Sequence, residues 1–166
     1  MKSPMSEKPA PKKSATSHEH LELLRKVFGR APFLQTLGIV IADLGRDKAV
    51  LKLPFQPPLA RNLGVFHGGA LASLIDTAGG VAAFSDHETV ETLNGATINM
   101  LVNYLSPAPA GQDVTATARV RKRGKSIVVT DVDVATSDGT LVATGTVTFK
   151  MGSKVGQGKP LSESMG

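Results

Sequence analysis

The chain contains no cysteine. Disulfides, thiol nucleophiles and thiolate metal sites are therefore excluded. Aromatic residues are scarce, with six phenylalanines, one tyrosine and no tryptophan among 166 residues. None interleaves with the basic cluster Arg119, Arg121, Lys122, Arg123 and Lys125, so the stacking surfaces of a nucleic-acid binder are missing and no nucleic-acid partner is expected. No apolar run approaches the roughly eighteen residues of a membrane-spanning helix, and the opening Met1-Lys2-Ser3-Pro4 lacks the apolar stretch of a secretory signal. These two absences predict a cytoplasmic protein with no membrane span. The four histidines are scattered, with His18 and His20 beside a polar tail, so neither a metal nor any other cofactor is expected.

What is present suits one domain. At 166 residues and 41% hydrophobic composition, the chain can bury a single core. The net charge of +5 belongs partly to the ends. Residues 1–17 are rich in Pro, Ser and Lys, and residues 152–166 in Gly and Ser. Both are expected to be flexible tails around a domain spanning residues 18–151.

Within that domain, periodicity predicts a short helix from His18 to Phe28, with Leu21, Leu24 and Phe28 on one face, Gly29 as a stop and Pro32 beyond. One or two strands follow between Ile39 and Phe55, bent near Gly45-Arg46-Asp47, and Pro57, Pro58 and the Gly64 region read as a loop. A long apolar helix runs from His67 to Phe84. Strands are then expected at Leu93–Leu105, Val114–Lys122, Ser126–Thr136 and Thr140–Met151, joined by turns at 107–111, 123–125 and 137–139. Alternation puts Val114, Ala116, Ala118 and Val120 on one side of their strand, and Leu141, Ala143, Gly145, Val147 and Phe149 on one side of theirs. One apolar helix followed by an antiparallel meander implies an α+β fold in which the sheet wraps around the helix.

The central helix carries the chemistry. From Ala70 to Phe84 nearly every residue is Ala, Leu, Ile, Val or Gly, with Leu71, Leu74, Ile75, Ala78 and Ala82 at the spacing of a buried face. Asp76 interrupts this run, sharing another side with Ser73 and Gly80. It either pairs with a basic residue or caps a loop, as most buried acids do, or it is a reacting group. His67-Gly68-Gly69 opens the helix. His67 could serve there only as a helix-start residue, but two adjacent glycines cost about 1 kcal/mol each relative to Ala and imply a close approach to the backbone. Free N–H groups at this end can bind an anion or a polarised carbonyl.

The ordered set Asn62, Gly64-Val65-Phe66-His67-Gly68-Gly69 and Asp76 resembles the hotdog-fold acyl-CoA thioesterases of the PaaI-like (4-hydroxybenzoyl-CoA thioesterase-related) family. The likeness continues through Thr97–Pro107, Lys122–Ser126 and Asp138–Gly145, and covers roughly residues 32–150. There is one departure: many relatives carry an amide six positions before the histidine, where this chain has Arg61, with Asn62 following. The resemblance implies hydrolysis of an acyl-CoA, medium-chain or aromatic in its acyl part, to free acid and CoA. Asp76 would act as general base on water or as nucleophile, and a Gly68 or Gly69 N–H would meet the carbonyl oxygen. By the same resemblance Thr97 holds the attacking water and His67 or Asn62 orients the thioester. Tyr104 and the turn Lys122, Arg123, Gly124, Lys125, Ser126 and Ile127 match positions that contact CoA. On residue types alone that turn reads as a solvated hairpin, Thr97 as an ordinary strand residue and Tyr104 as core packing.

Helix geometry adds a requirement. Asp76 lies nine residues after His67, about 13 Å along the axis at 1.5 Å per residue, too far for both to meet one thioester carbonyl. Two antiparallel copies of the helix about a two-fold axis would join the glycine end of one to Asp76 of the other. A homodimer with shared sites is therefore expected, and the resemblance implies a dimer of dimers, a homotetramer. Two other functions stay open. A hotdog hydratase or dehydratase would need a histidine and an acid placed at the α and β carbons of the thioester. A non-catalytic acyl-CoA-binding protein would need an output element that the tails do not offer.

Overall fold

The computed structural model describes residues 18–62, 64–86 and 94–152. The tails expected at 1–17 and 152–166, apart from Gly152, and the strand start expected at Leu93 lie outside the described residues. Helix α1 (His18–Gly29) buries Leu24 completely, with Leu21 and Phe28 packed against the core. A second helix, α2 (Pro32–Leu37), follows where the sequence reading placed only a stop. Pro32 occupies its first turn, where a missing N–H costs nothing, and Gly38 ends it at φ 73°.

Strands β1 (Val40–Gly45) and β2 (Lys48–Leu53) turn at Asp47, near the expected bend. The segment read as a loop holds a 3-10 turn (Pro57–Leu59) and a small hairpin, β3 (Ala60–Arg61) with β4 (Val65–Phe66). Helix α3 (Gly68–Phe84) comes next, followed by β5 (Gly95–Tyr104), β6 (Val114–Arg123), β7 (Ile127–Thr136) and β8 (Leu141–Met151).

Six strands form one antiparallel sheet in the order β1-β2-β6-β7-β8-β5, and α3 packs across its inner face. Leu74, Ile75, Ala78 and Ala82 are fully buried and Leu71 is nearly so, as the periodicity predicts. Helix and sheet approach closely because glycines face bulky partners: a Cβ on Gly79 would come 2.8 Å from Val147 and Thr130, and one on Gly145 2.6 Å from Ile75. Gly80, expected to share a side of the helix with Ser73 and Asp76, is buried against Phe149. The stripe of α3 that the sheet leaves uncovered is Gly69, Ala72, Ser73, Asp76 and Thr77.

One alternation also shifts phase. Pairing skips from Val134–Ala143 to Ala135–Leu141, so Val142 is an extra residue in β8 and is buried, while Leu141 is exposed. A single inserted residue reverses the faces of everything before it.

Candidate active site

His67 caps α3 in extended conformation, and its Nδ1 accepts the Gly69 N–H at 2.9 Å. Its own backbone N–H donates to Leu59 O at 2.8 Å. The Gly68 N–H, first in the helix, is left without a partner among the described residues. Of the two glycine donors expected to face a ligand, Gly69 is therefore engaged by the cap and Gly68 is open. The close approach implied by the two glycines is intramolecular. A Cβ on Gly68 would lie 3.2 Å from the Tyr104 ring, and one on Gly69 2.9 Å from His67 Nδ1. Tyr104 also donates its hydroxyl to Gly68 O at 2.9 Å, tying the end of β5 to the start of α3.

Asp76 lies two turns further on, partly exposed in the open stripe. Thr97 donates its hydroxyl to Asp76 Oδ1 at 2.6 Å, a short charge-assisted bond that leaves Oδ2 and the hydroxyl lone pairs available. No Lys or Arg of the same chain pairs with Asp76 among the described residues.

Thr97 and Tyr104 are seven residues apart, so plain alternation would send them to opposite faces of β5. A bulge corrects the parity. Thr97 pairs with Phe149 and Asn99 with Thr148, making Ile98 the extra residue. Both side chains therefore reach α3, Thr97 at Asp76 and Tyr104 at Gly68. The two clusters stay about 12 Å apart along the helix at 1.5 Å per residue.

The basic turn sits at the opposite end of α3. Arg123, expected among the CoA contacts, points inward: it donates to Ala83 O at 2.8 Å and to Asp47 Oδ1 at 2.9 and 2.7 Å. It closes the helix C-terminus and holds the β1–β2 turn, where Asp47 has φ 58°. Lys122, Lys125 and Ser126 are exposed, Gly124 N–H donates to Ile127 O at 2.7 Å, and Ile127 pairs with Lys150.

Beside the helix start lies a groove of about 430 Å³ lined by Arg61, Phe66, Gly68, Leu71, Tyr104 and Leu105 among others. Asn62 is exposed in the β3–β4 turn and does not line it. The sequence reading missed this hairpin. Its signal was Asn62-x-Gly64 between two short apolar segments, with Gly64 at φ 67°. Among the described residues no three His, Asp or Glu side chains gather into a metal site, and no helix is long and apolar enough to cross a membrane.

A family model described as the thioesterase superfamily matches residues 63–143. A putative esterase of Halobacterium salinarum is 35% identical over 127 residues, covering 71% of this chain and 83% of that protein. Acyl-coenzyme A thioesterase 13 of Homo sapiens is 29% identical over 133 residues, covering 79% and 93% respectively. Among solved structures, the E. coli PaaI protein from the phenylacetic acid degradation operon superposes with a TM-score of 0.76 at 26% identity, over 85% of this chain and 99% of that one. Sheet order, central helix and these likenesses agree: the chain belongs to the hotdog-fold thioesterase superfamily, among its PaaI-like members, and is a thioester hydrolase.

Proposed function

We propose that this chain hydrolyses medium-chain or aromatic acyl-CoA thioesters in the cytoplasm, releasing the free acid and CoA. The observation that carries the proposal is Asp76, a carboxylate on the open stripe of an apolar helix, bonded by Thr97 and lacking a basic partner among the described residues. The thioester carbonyl oxygen would accept the Gly68 N–H, where the helix dipole favours developing negative charge. Asp76 Oδ2 then takes a proton from water as the water oxygen adds to the carbonyl carbon, or itself attacks that carbon to give, once the thiolate has left, a mixed anhydride that water hydrolyses to the free acid and the regenerated carboxylate. Since the Thr97 proton is committed to Oδ1, its lone pairs can accept a hydrogen bond from that water. Collapse of the tetrahedral adduct expels the CoA thiolate. Lys122 and Lys125, exposed on the β6–β7 turn, would meet CoA phosphates, and Arg123 would serve them only by holding the turn.

The site would be completed across a homodimer, with dimers paired into a tetramer. Gly68 and Asp76 stand about 12 Å apart in one chain. The uncovered stripe of α3 has small side chains, which would let a second helix lie close. Among the described residues the neighbouring edge strand β5 pairs only with β8, and it exposes Ile98 and Leu101 by more than half, an edge and an apolar patch that call for cover.

Asp76→Asn tests the assignment, with thiol release followed across short, medium, long and aryl acyl-CoA esters. Turnover should fall about 10²–10⁴-fold, the scale of a lost general base, with fold and oligomer unchanged. Near wild-type turnover would move the chemistry away from Asp76.

A further inference from the structure

The groove beside Gly68 contains one charged side chain for which the proposed mechanism has no use. Phe66, Leu71 and Leu105 make its wall apolar, and the Tyr104 hydroxyl proton is already given to Gly68 O. Arg61 is the single charged residue of the lining; it is exposed and has no carboxylate partner among the described residues. The strand that carries it is fixed to the helix start. Ala60 pairs with Phe66, Arg61 with Val65, and His67 N–H meets Leu59 O. Gly68 lies three residues past Val65, about 10 Å along an extended backbone at 3.3 Å per residue. Arg61 and the Gly68 N–H are thus two separate polar points joined by an apolar surface.

We infer that Arg61 is an anion anchor for this groove, pairing with a carboxylate or phosphate that the thioester carries several bonds from its carbonyl. A guanidinium offers a planar fork that meets either oxyanion bidentately, and an apolar wall beside it strengthens the pairing relative to open water. The inference deepens the thioesterase proposal and rests on it for the placing of the carbonyl at Gly68. Two parts of an acyl-CoA can supply the anion: a carboxylate at the far end of the acyl group, or the phosphates of CoA.

Non-hydrolysable thioethers separate these sources. Alkyl and ω-carboxyalkyl chains of equal length, each on CoA and on pantetheine, are titrated calorimetrically into wild type, Arg61→Gln and Arg61→Lys. Arg61→Gln should weaken the anion-bearing ligands by about tenfold or more, clearly beyond its effect on the alkyl pantetheine, and Arg61→Lys should regain part of the loss. A loss that follows the carboxylate on both carriers assigns the acyl group; one that follows CoA with either chain assigns the phosphates. Equal losses on all four ligands, no loss on any, or no binding by wild type would overturn the anchor. Thiol release by wild type from acyl-CoA esters is measured alongside. If Arg61-dependent binding occurs without release, the acyl-CoA hydrolysis proposed above falls and the anchor stands.

Discussion

Thr97 has one proton, and in this structure it goes to Asp76. Val is nearly isosteric with Thr and is well tolerated in strands, so Thr97→Val removes the hydroxyl while keeping β5. In the proposed mechanism it leaves the carboxylate without its donor and the water without an acceptor. kcat should fall about 10–100-fold with little change in KM, and Thr97→Ser should recover most of it. Steady-state kinetics on the three proteins decide this, and a Val variant as fast as wild type would make Thr97 a strand residue only. Arg123 gives the opposite lesson, that a residue in a basic cluster can be structural. Its guanidinium joins two helix carbonyls to Asp47 with 24% of the side chain exposed. Arg123→Met should cost about 2–3 kcal/mol in urea unfolding, because it strands Asp47 and the helix carbonyls, whereas Lys122→Met should stay within about 0.5 kcal/mol. Equal midpoints for the two variants would return the whole turn to a solvated hairpin.

Elements were legible in the sequence wherever one period ran unbroken. The bounds of α3 follow its apolar spacing to within one residue, those of β6 do so because its alternation runs unbroken from Val114 to Val120 before the register shifts at Arg121, and His67-Gly68-Gly69 marks the helix start because capping is local. What broke the period was hidden. The extra residues at Ile98 and Val142 reverse side-chain parity without any Gly or Pro to announce them, so Thr97 and Tyr104 could not both be placed on α3 by alternation. The role of Arg123 depends on partners 40 and 76 positions away, beyond any local pattern. Helix α2 and the β3–β4 hairpin were too short for periodicity to register. A similar long-range tie joins the end of β2 to the start of β6. Asp113 receives the Phe55 N–H at 3.0 Å and the Lys52 ammonium at 2.7 Å. Lys52, followed by the Phe55 N–H, holds the Asp113 carboxyl below its ordinary 3.8. A carboxylate with a lowered folded pKa contributes stability above the unfolded value, and that contribution is lost as pH falls through the folded one. Asp113→Asn should therefore lower Tm at neutral pH and converge on wild type as the pH falls from 3.8 through the lower folded value. Thermal melts across that range check this, and a constant offset at every pH would mean that the amide disturbs the strand ends for another reason.

At the scale of the whole molecule, the open question is whether Gly68 and Asp76 work together although one helix holds them apart. Gly68 offers a clean way to ask. It is the first residue of α3, and His67 before it sits at φ −67° and ψ 135°, a conformation that a following proline accepts. Gly68→Pro therefore deletes the one N–H that the mechanism uses while leaving the helix intact. Gly68→Ala is its control, since both add a Cβ against the Tyr104 ring but only proline loses the donor. With shared sites, a heterodimer of Gly68→Pro and Asp76→Asn chains has one site combining both defects and one combining neither. Random exchange of equal amounts makes half the dimers mixed, each with half its sites intact, so activity should recover to about one quarter of wild type from two nearly inactive parents. The recovery should follow the time course of subunit exchange, read by fluorescence transfer between labelled chains. Exchange without recovery would mean that each chain carries its own complete site, and the 12 Å between Gly68 and Asp76 would then have to be bridged within one subunit.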